Sequence, residues 1–342
     1  YKVDLAVQGN LTVAAGAAVN VAARGYIKNN GPGAGGNYGM GGSYGGQGGH
    51  GRDNGQDPKD TYGSFLMPTN IGSAGHDWQN NSGPNDGGGA FRLTVTETLT
   101  LNGDIDADGF TTSGSALDGG GSGGSIFLTA SNITGSSTLS ANGGDASDGN
   151  SAGGGGGRIA VYLTHSDDFS AMTMRAYGGN GGKNEGSAGT IYTEGQSHQP
   201  GRGQLLMDNN GLQTIRGERT LIHSNSPHTS IGNVIIRNGA HFRVDDNLTF
   251  DVYGSWSNSA LFEAGAASTI SFPGTNTARL LGSTTFGRLV VTNGGKRVEF
   301  ENGKTNAVTE ALVLNGQSGN LLTLRPITDG TWWFLDIDGA VI

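Results

Sequence analysis

Short runs in which apolar and polar residues alternate recur along the whole chain. Examples are residues 93–96, 126–129 and 159–163, which are rich in β-branched side chains and lie between stretches of glycine, asparagine, aspartate or serine. No segment sustains the i, i+3, i+4 apolar spacing of an amphipathic helix. The pattern therefore predicts an all-β fold built from short strands.

A short strand motif of the form apolar-x-Ala-x-Gly occurs four times. Its first copy starts at Val21, and the later copies start at Ile105, Leu139 and Met174, which are 34 and 35 residues apart. Alternation puts the apolar residue and the alanine of each copy on one face, and a single repeat cannot bury that face alone. Stacked repeats therefore predict a parallel β-helix or solenoid. A β-sandwich is the alternative, but Asn-Gly hairpin turns do not recur at the regular spacing it needs.

Glycine changes this picture, because it supplies 65 of the 342 residues, about 19% against a usual ~7%. Hydrophobic residues make up 34% of the chain, too few for one large globular core. Glycine runs such as 119–124 and 153–157 follow the repeats. Chains without Cβ atoms can pack as extended polyglycine-type threefold helices that share backbone hydrogen bonds. We expect such a bundle of long glycine-rich loops; flexible loops are the alternative.

A change of composition near residue 203 predicts two arrays. Residues 1–203 form a glycine-rich array with a long insert at about 31–89, and residues 204–342 form a second array of strand repeats that is able to continue the first. The start at Tyr1, without a signal-like apolar stretch, is expected of a fragment or a processed product. The net charge of −9 argues against a nucleic-acid partner, and no run of 18 apolar residues predicts a membrane span.

One acidic stretch resembles a calcium-binding loop. Asp104, Asp106 and Asp108 match the opening Asp-x-Asp-x-Asp-Gly, but Ser115 stands where the closing bidentate acid belongs. The equivalent positions of the next repeat are Thr138, Ser140 and Asn142. Because a ligand set should not vary in this way, we favour a solvated strand face and keep calcium as the alternative.

The chain offers no convincing catalytic, cofactor-binding or metal-binding residues. A glycosidase or lyase needs paired carboxylates. Asp167 and Asp168 are adjacent, as are Asp245 and Asp246, so strand geometry would send the members of each pair to opposite faces. The seven histidines lack HxH or HExxH spacing. We therefore predict a non-enzymatic protein, although a groove could still assemble an acidic site from distant repeats.

Aromatic residues stand out within the glycine background. Those of the insert either anchor it onto the stacked strands, which we favour, or stack against glycans. They are Tyr38, Tyr44, Tyr62, Phe65 and Trp78. The run from Trp332 to Phe334 is expected to combine core packing with an interface.

Several segments carry a resemblance to a known family. They are residues 7–13, 20–26, 87–93, 121–128, 139–144, 153–162, 255–258, 285–291 and 319–324. These segments are similar to those of glycine-rich β-strand-repeat bacterial surface proteins, an adhesin-like parallel β-helix family. The resemblance covers most of the chain and implies an exported, extracellular or cell-surface protein without catalytic residues.

What the resemblance implies about function is a structural or adhesive role. The chain would be a rigid β-solenoid, acting as a subunit of a surface fibre or as an adhesin stalk. Its partners would be other copies or neighbouring repeats of the same parent chain, and surface glycans are a further candidate. The alternative function is a carbohydrate-binding or carbohydrate-active (glycosidase or lyase) β-helix protein.

Overall fold

The computed structural model describes residues 1–52, 56–77, 85–113 and 117–342, and its regular secondary structure is entirely β, as predicted. Within these ranges no helix is long and apolar enough to cross a membrane. The strands, in chain order, are β1 (Lys2–Val7), β2 (Leu11–Val13), β3 (Ala18–Asn20), β4 (Ala90–Val95), β5 (Thr98–Leu101), β6 (Asp104–Asp106), β7 (Ser125–Ala130), β8 (Asn132–Gly135), β9 (Ser137–Ser140), β10 (Arg158–Leu163), β11 (Met172–Arg175), β12 (Thr190–Glu194), β13 (Gln204–Asp208), β14 (Thr220–Ile222), β15 (Ser230–Ile231), β16 (Asn233–Arg237), β17 (His241–Val244), β18 (Thr249–Val252), β19 (Trp256–Asn258), β20 (Leu261–Ala264), β21 (Thr269–Ser271), β22 (Ala278–Gly282), β23 (Thr285–Val291), β24 (Arg297–Phe300), β25 (Thr305–Leu314), β26 (Thr323–Pro326), β27 (Phe334–Ile337) and β28 (Ala340–Val341).

The chain divides into two compact units. Unit 1 comprises Tyr1–Ser197, Met207–Thr220 and Asn238–His241. Unit 2 comprises His198–Leu206, Leu221–Arg237 and Phe242–Ile342. The division into arrays at residue 203 stays a prediction.

In unit 1 the strands pair in parallel. One ladder contains β1, β4, β7, β10 and β12 in that order; a second contains β2, β5 and β8, and a third β3, β6, β9 and β11. Ile126, for example, pairs with Phe91 on one side and with Ile159 on the other, and all three are buried. Equivalent apolar positions of successive repeats therefore stack on one another, and their burial forms the core of the unit.

The repeat alignment is confirmed for the last three copies of the motif. Leu139 pairs with Ile105 on one side and with Met174 on the other. Burial follows the predicted alternation, since Ile105 and Ala107 are buried while Asp104 is exposed and Asp106 is half-buried. The acidic residues of this stretch thus lie on the outer face.

The alignment of the first copy is wrong by two residues. Val19, not Val21, pairs with Ile105. Val21 takes the alanine position instead. Its carbonyl accepts a hydrogen bond from the amide of Gly89, as the carbonyl of Ala107 accepts one from the amide of Gly124. A shift of two residues keeps the same side chains on the same face, so alternation alone cannot distinguish the two registers.

Unit 2 is also built from parallel strands, and aromatic side chains fill its core. One of its ladders contains β16, β19, β22, β24 and β26, and another contains β15, β18, β21, β23, β25 and β27. The fully buried Trp256 packs its ring 4.8 Å from that of Phe262 and 5.7 Å from that of Phe286. Its indole nitrogen donates to Thr284 Oγ1 at 3.1 Å, which pairs the one polar atom of the ring.

The aromatic run near the end of unit 2 is divided between two environments. The Trp333 ring stacks on that of the buried Phe300, with centroids 4.0 Å apart. Trp332 is 80% exposed and Phe334 is 53% exposed. The packing role predicted for this run therefore belongs to Trp333, and its interface role stays a prediction.

Candidate functional site

The glycine-rich segments of unit 1 pack against one another. We call this region the glycine bundle. It comprises residues 39–49, 72–76, 86–89, 119–124, 141–144, 152–157 and 178–189. Most of these residues are buried although they form no β-strand, so backbone hydrogen bonds have to satisfy their amides and carbonyls.

The hydrogen bonds of residues 119–124 repeat with a period of three. Residues 119 and 122 donate to one neighbouring segment, residues 120 and 123 to a second, and residues 121 and 124 to a third, at 2.8–3.1 Å. In chain order the accepting carbonyls belong to His76, Ala152, Phe110, Ser73, Gly155 and Ala107. An extended chain with three residues per turn presents every third amide to the same neighbour.

Residues 153–157 show the same arrangement with other neighbours. Residues 153 and 156 donate to one segment, residues 154 and 157 to a second, and residue 155 to a third. The acceptors, in chain order, are the carbonyls of Asn184, Gly144, Gly42, Ser187 and Ala141. Both runs that the sequence singled out therefore have all their amides paired, which a freely flexible loop would not.

Close approach between backbones explains why these positions are glycine. A Cβ atom on Gly120 would overlap the carbonyl oxygen of Gly144, and one on Gly154 would overlap that of Gly121. Gly149, in contrast, has no atom near the position of a Cβ. Glycine in the bundle is thus required by contact rather than by flexibility.

A buried cation lies where the insert crosses the outer face of the strands. Arg158, at the start of β10, is fully buried, and its Nε donates to the Tyr62 carbonyl at 3.1 Å. Its Nη1 donates to Thr190 Oγ1 at 3.0 Å, and its guanidinium lies 5.5 Å from the ring centre of Tyr44. Burial lowers the pKa of Arg158. A cation–π contact, one carbonyl acceptor and one hydroxyl acceptor therefore replace water around this charge.

Two aromatic residues of the insert, Tyr44 and Phe65, anchor it as predicted. Tyr44 is fully buried, and its hydroxyl lies 2.6 Å from Ser125 Oγ, which itself donates to the Asn70 carbonyl. Phe65 packs edge-on against Tyr192 at 6.4 Å. Tyr38 is half-buried, and Trp78 lies outside the described residues. These buried rings are not available to stack on a glycan.

An ion pair ties the insert to a later part of unit 1. His50 Nδ1 lies 2.8 Å from the buried Glu218 Oε1, and His50 Nε2 lies 3.0 Å from Asp57 Oδ1. Burial alone would lower the pKa of His50, but the hydrogen bonds to Glu218 and Asp57 raise it above its usual range. Burial opposes ionisation of Glu218 as well, yet its bonds with His50 hold the pKa of Glu218 below the normal value. Each partner therefore favours the charged form of the other.

The acidic stretch in β6 uses its carboxylates on the protein itself. Asp104 accepts the amide of Thr138 at 2.7 Å, and Asp106 accepts the amide of Asp108 at 2.8 Å. Asp108 accepts the Ser140 hydroxyl at 2.6 Å and the Asn142 amide, and burial raises the pKa of Asp108 to about 6. Ser115 lies outside the described residues. Across the described part of the chain, no group of three or more His, Asp or Glu side chains is placed to hold a metal ion.

The adjacent carboxylate pairs lie outside the strands, so the opposite-face geometry expected of them does not apply. Asp167 accepts the amide and the hydroxyl of Ser197 at 3.0 and 2.9 Å. Asp245 accepts the amide of Ser224 at 3.1 Å, and Asp246 is paired with Arg243. These carboxylates bond to backbone amides and side chains of the protein itself.

Sequence reasoning did not single out Arg158 or Glu218. Arg158 carries a signal in retrospect, since it is the charged first residue of an otherwise apolar strand whose equivalents are Ser125 and Thr190. Glu218 lies 168 residues from His50, and no local pattern connects the two. Comparisons of the chain with protein-family models, with curated proteins and with solved structures gave no match.

Proposed function

We propose that this chain is a non-catalytic structural or adhesive protein of a bacterial surface, exported from the cell. In this proposal it is a rigid β-solenoid that serves as a subunit of a surface fibre or as an adhesin stalk. The glycine segments would be polyglycine-type threefold helices that brace the stacked repeats. The observation that carries the proposal is that every backbone amide of residues 119–124 and 153–157 is paired.

Rigidity is the property that these hydrogen bonds provide. Each amide of the two runs is bonded to one of three different segments, so no segment can move without breaking bonds to several neighbours. A hydrogen bond contributes only ~1 kcal/mol net, but a buried amide left unpaired costs about 1–3 kcal/mol. Many such bonds acting together resist local opening, which suits a load-bearing element.

The exposed first strands support assembly with further repeats. β1, β2 and β3 each lie at the edge of their ladder. Leu5 is 47% exposed although its ladder partner Leu93 is 1% exposed, so a core position of the repeat is uncovered here. An open parallel edge with apolar side chains is a template for pairing with another chain, as a fibre subunit requires.

Electron microscopy of the purified chain, with its mass in solution measured over a range of concentrations, tests the proposal. A fibre subunit should give ordered filaments whose mass grows with concentration. A stalk should give stiff, elongated monomers of uniform length. Compact or flexible particles would contradict both forms, and release of reducing or unsaturated sugars from a polysaccharide panel would favour the carbohydrate-active alternative.

A further inference from the structure

A groove of about 320 Å³ crosses three repeats of unit 1. Its lining includes one glycine from each repeat: Gly109, Gly143 and Gly178. These glycines are equivalent, because the amide of Gly109 donates to the carbonyl of Asn142 and that of Gly143 to the carbonyl of Tyr177. A Cβ on any of the three would overlap a carbonyl oxygen of the glycine bundle, that of Gly121, Gly154 or Gly186, so the groove is backed by the bundle.

One wall of the groove is a row of equivalent side chains, Asp108, Asn142 and Tyr177. Asp108 accepts the backbone amide of Asn142, and Asn142 in turn accepts that of Tyr177 at 2.8 Å. Each polar side chain in the row is fixed by the repeat that follows it. Its position is thus set before any ligand arrives.

The opposite wall is built in the same way from Thr111, Asp145 and Asn180. Thr111 Oγ1 accepts the amide of Asp145 at 3.1 Å, and Asp145 Oδ1 accepts the amide of Asn180 at 2.7 Å. All three side chains are exposed. Asp145 has a second carboxylate oxygen and Asn180 has a side-chain amide, so this wall offers both an acceptor and a donor to a ligand.

The lining determines which ligands the groove suits. Among the residues that the structure describes, the lining contains two carboxylates and no lysine or arginine, which disfavours an anion. Both oxygens of Asp108 are bonded within the protein, to Ser140 and Asn142, which leaves Asp145 as the one lining carboxylate for a metal ion. Carboxylate and amide groups pair well with neighbouring hydroxyls, and the Tyr177 ring supplies an apolar face. This combination fits a neutral, hydroxyl-rich molecule.

We propose that this groove binds a neutral oligosaccharide whose chain lies along the stacked repeats. Its volume is within the range of small-ligand sites, in which a few fixed polar groups orient the ligand. The inference gives the proposed adhesive role a ligand class. Sugar binding is tested on the single chain. A chain that does not bind sugar is therefore distinguishable from a chain that does not assemble into fibres.

The test measures binding of neutral linear tetrasaccharides of glucose, mannose, galactose and N-acetylglucosamine. Saturation-transfer NMR and calorimetry are the two methods. Asn180→Ala removes a lining side chain without removing a cross-repeat bond, and Tyr177→Ala removes the ring. Asp104→Ala is the matched control, since Asp104 accepts a next-repeat amide as Asp145 does but lies outside the groove. Thermal unfolding verifies that each variant is folded.

We expect at least one sugar to bind the native chain and Asp104→Ala equally. Asn180→Ala and Tyr177→Ala should each weaken that binding by roughly tenfold, which corresponds to ~1.4 kcal/mol. The proposal is overturned if no sugar binds at about 10 mM, which corresponds to a binding free energy of only ~2.7 kcal/mol. It is also overturned if the two groove variants bind as well as the native chain, or if Ca²⁺ or a lysine-rich peptide occupies the groove in place of every sugar.

Discussion

The amide of Gly123 donates to the carbonyl of Gly155 at 2.9 Å, and the backbone of residues 141 and 157 leaves no room for a side chain at residue 123. A Cβ there would overlap the carbonyl oxygen of Ala141 and lie 2.6 Å from the amide nitrogen of Gly157. Because all of these atoms belong to backbone, the strain cannot be relieved by a rotamer change.

Gly123→Ala should therefore lower the free energy of unfolding by about 1–3 kcal/mol or more. The matched control is Gly149→Ala, since a Cβ at that position meets no atom within 4 Å. The control should be neutral, or stabilising by ~0.5 kcal/mol through its effect on the unfolded chain. Urea unfolding of both variants measures the difference, and equal stabilities would show that the bundle is not closely packed.

Amide exchange should reveal the bundle directly. The amides of residues 119–124 and 153–157 are buried and paired, so their exchange should be slowed as strongly as that of neighbouring strands. The exposed amide of Gly149 serves as the internal reference for fast exchange. Hydrogen–deuterium exchange with peptide resolution makes the measurement. Rapid exchange across both glycine runs would mean that they are flexible loops.

The fold class follows from local patterns, whereas the site does not. Alternation and the spacing of Ile105, Leu139 and Met174 are sufficient to predict parallel stacking, because each repeat has to bury the same face. The register of Val21 was beyond this reasoning, since a shift of two residues preserves every face. The hydrogen bond to Gly89 selects the actual register, and that partner is 68 residues away in the chain.

The contacts of the candidate site could not be predicted from the sequence, because the partners lie far apart in the chain. Arg158 is buried only because Tyr44 and Tyr62, about a hundred residues earlier, cover it. The roles of Asp108 and Asp145 depend likewise on which amide of the next repeat they meet. The number of glycines indicated that a bundle was possible, but the choice of neighbours within it is a property of the folded chain.

The His50–Glu218 pair should make stability depend on pH above the unfolded pKa of histidine, ~6.5. The pKa of His50 is raised on folding, so its contribution is fully present below the unfolded value of ~6.5 and is lost as pH rises through the folded pKa. His50→Gln should cost about 1–3 kcal/mol at pH 6 and clearly less at pH 9. Unfolding free energies at the two pH values measure this change.

A suitable control for that experiment is His165→Gln, because His165 is exposed. The control should leave the pH dependence of stability as it is in the native chain. If His50→Gln were equally destabilising at both pH values, the pair would act by packing alone and not through its charge.

The carboxyl of Asp108 should destabilise the fold at neutral pH. Burial raises its pKa to about 6, so the folded state binds a proton that the unfolded state releases near ~3.9. Proton binding at Asp108 therefore stabilises the folded state at pH 4, and this stabilisation is lost as pH rises from 4 to 6. Asp108→Asn removes the charge while it keeps an acceptor for the Asn142 amide, as Asn142 itself does for Tyr177 in the next repeat.

Asp108→Asn is thus expected to raise the free energy of unfolding at pH 7 by about 1–2 kcal/mol. The gain should vanish at pH 4, where the native carboxyl is protonated. Asp104→Asn is the control, since Asp104 makes the same kind of cross-repeat bond from an exposed position and should change stability by less than ~0.5 kcal/mol. A loss of stability at pH 7 in Asp108→Asn would mean that the charged carboxylate, with its bonds to Ser140 and Asn142, outweighs the cost of burying it.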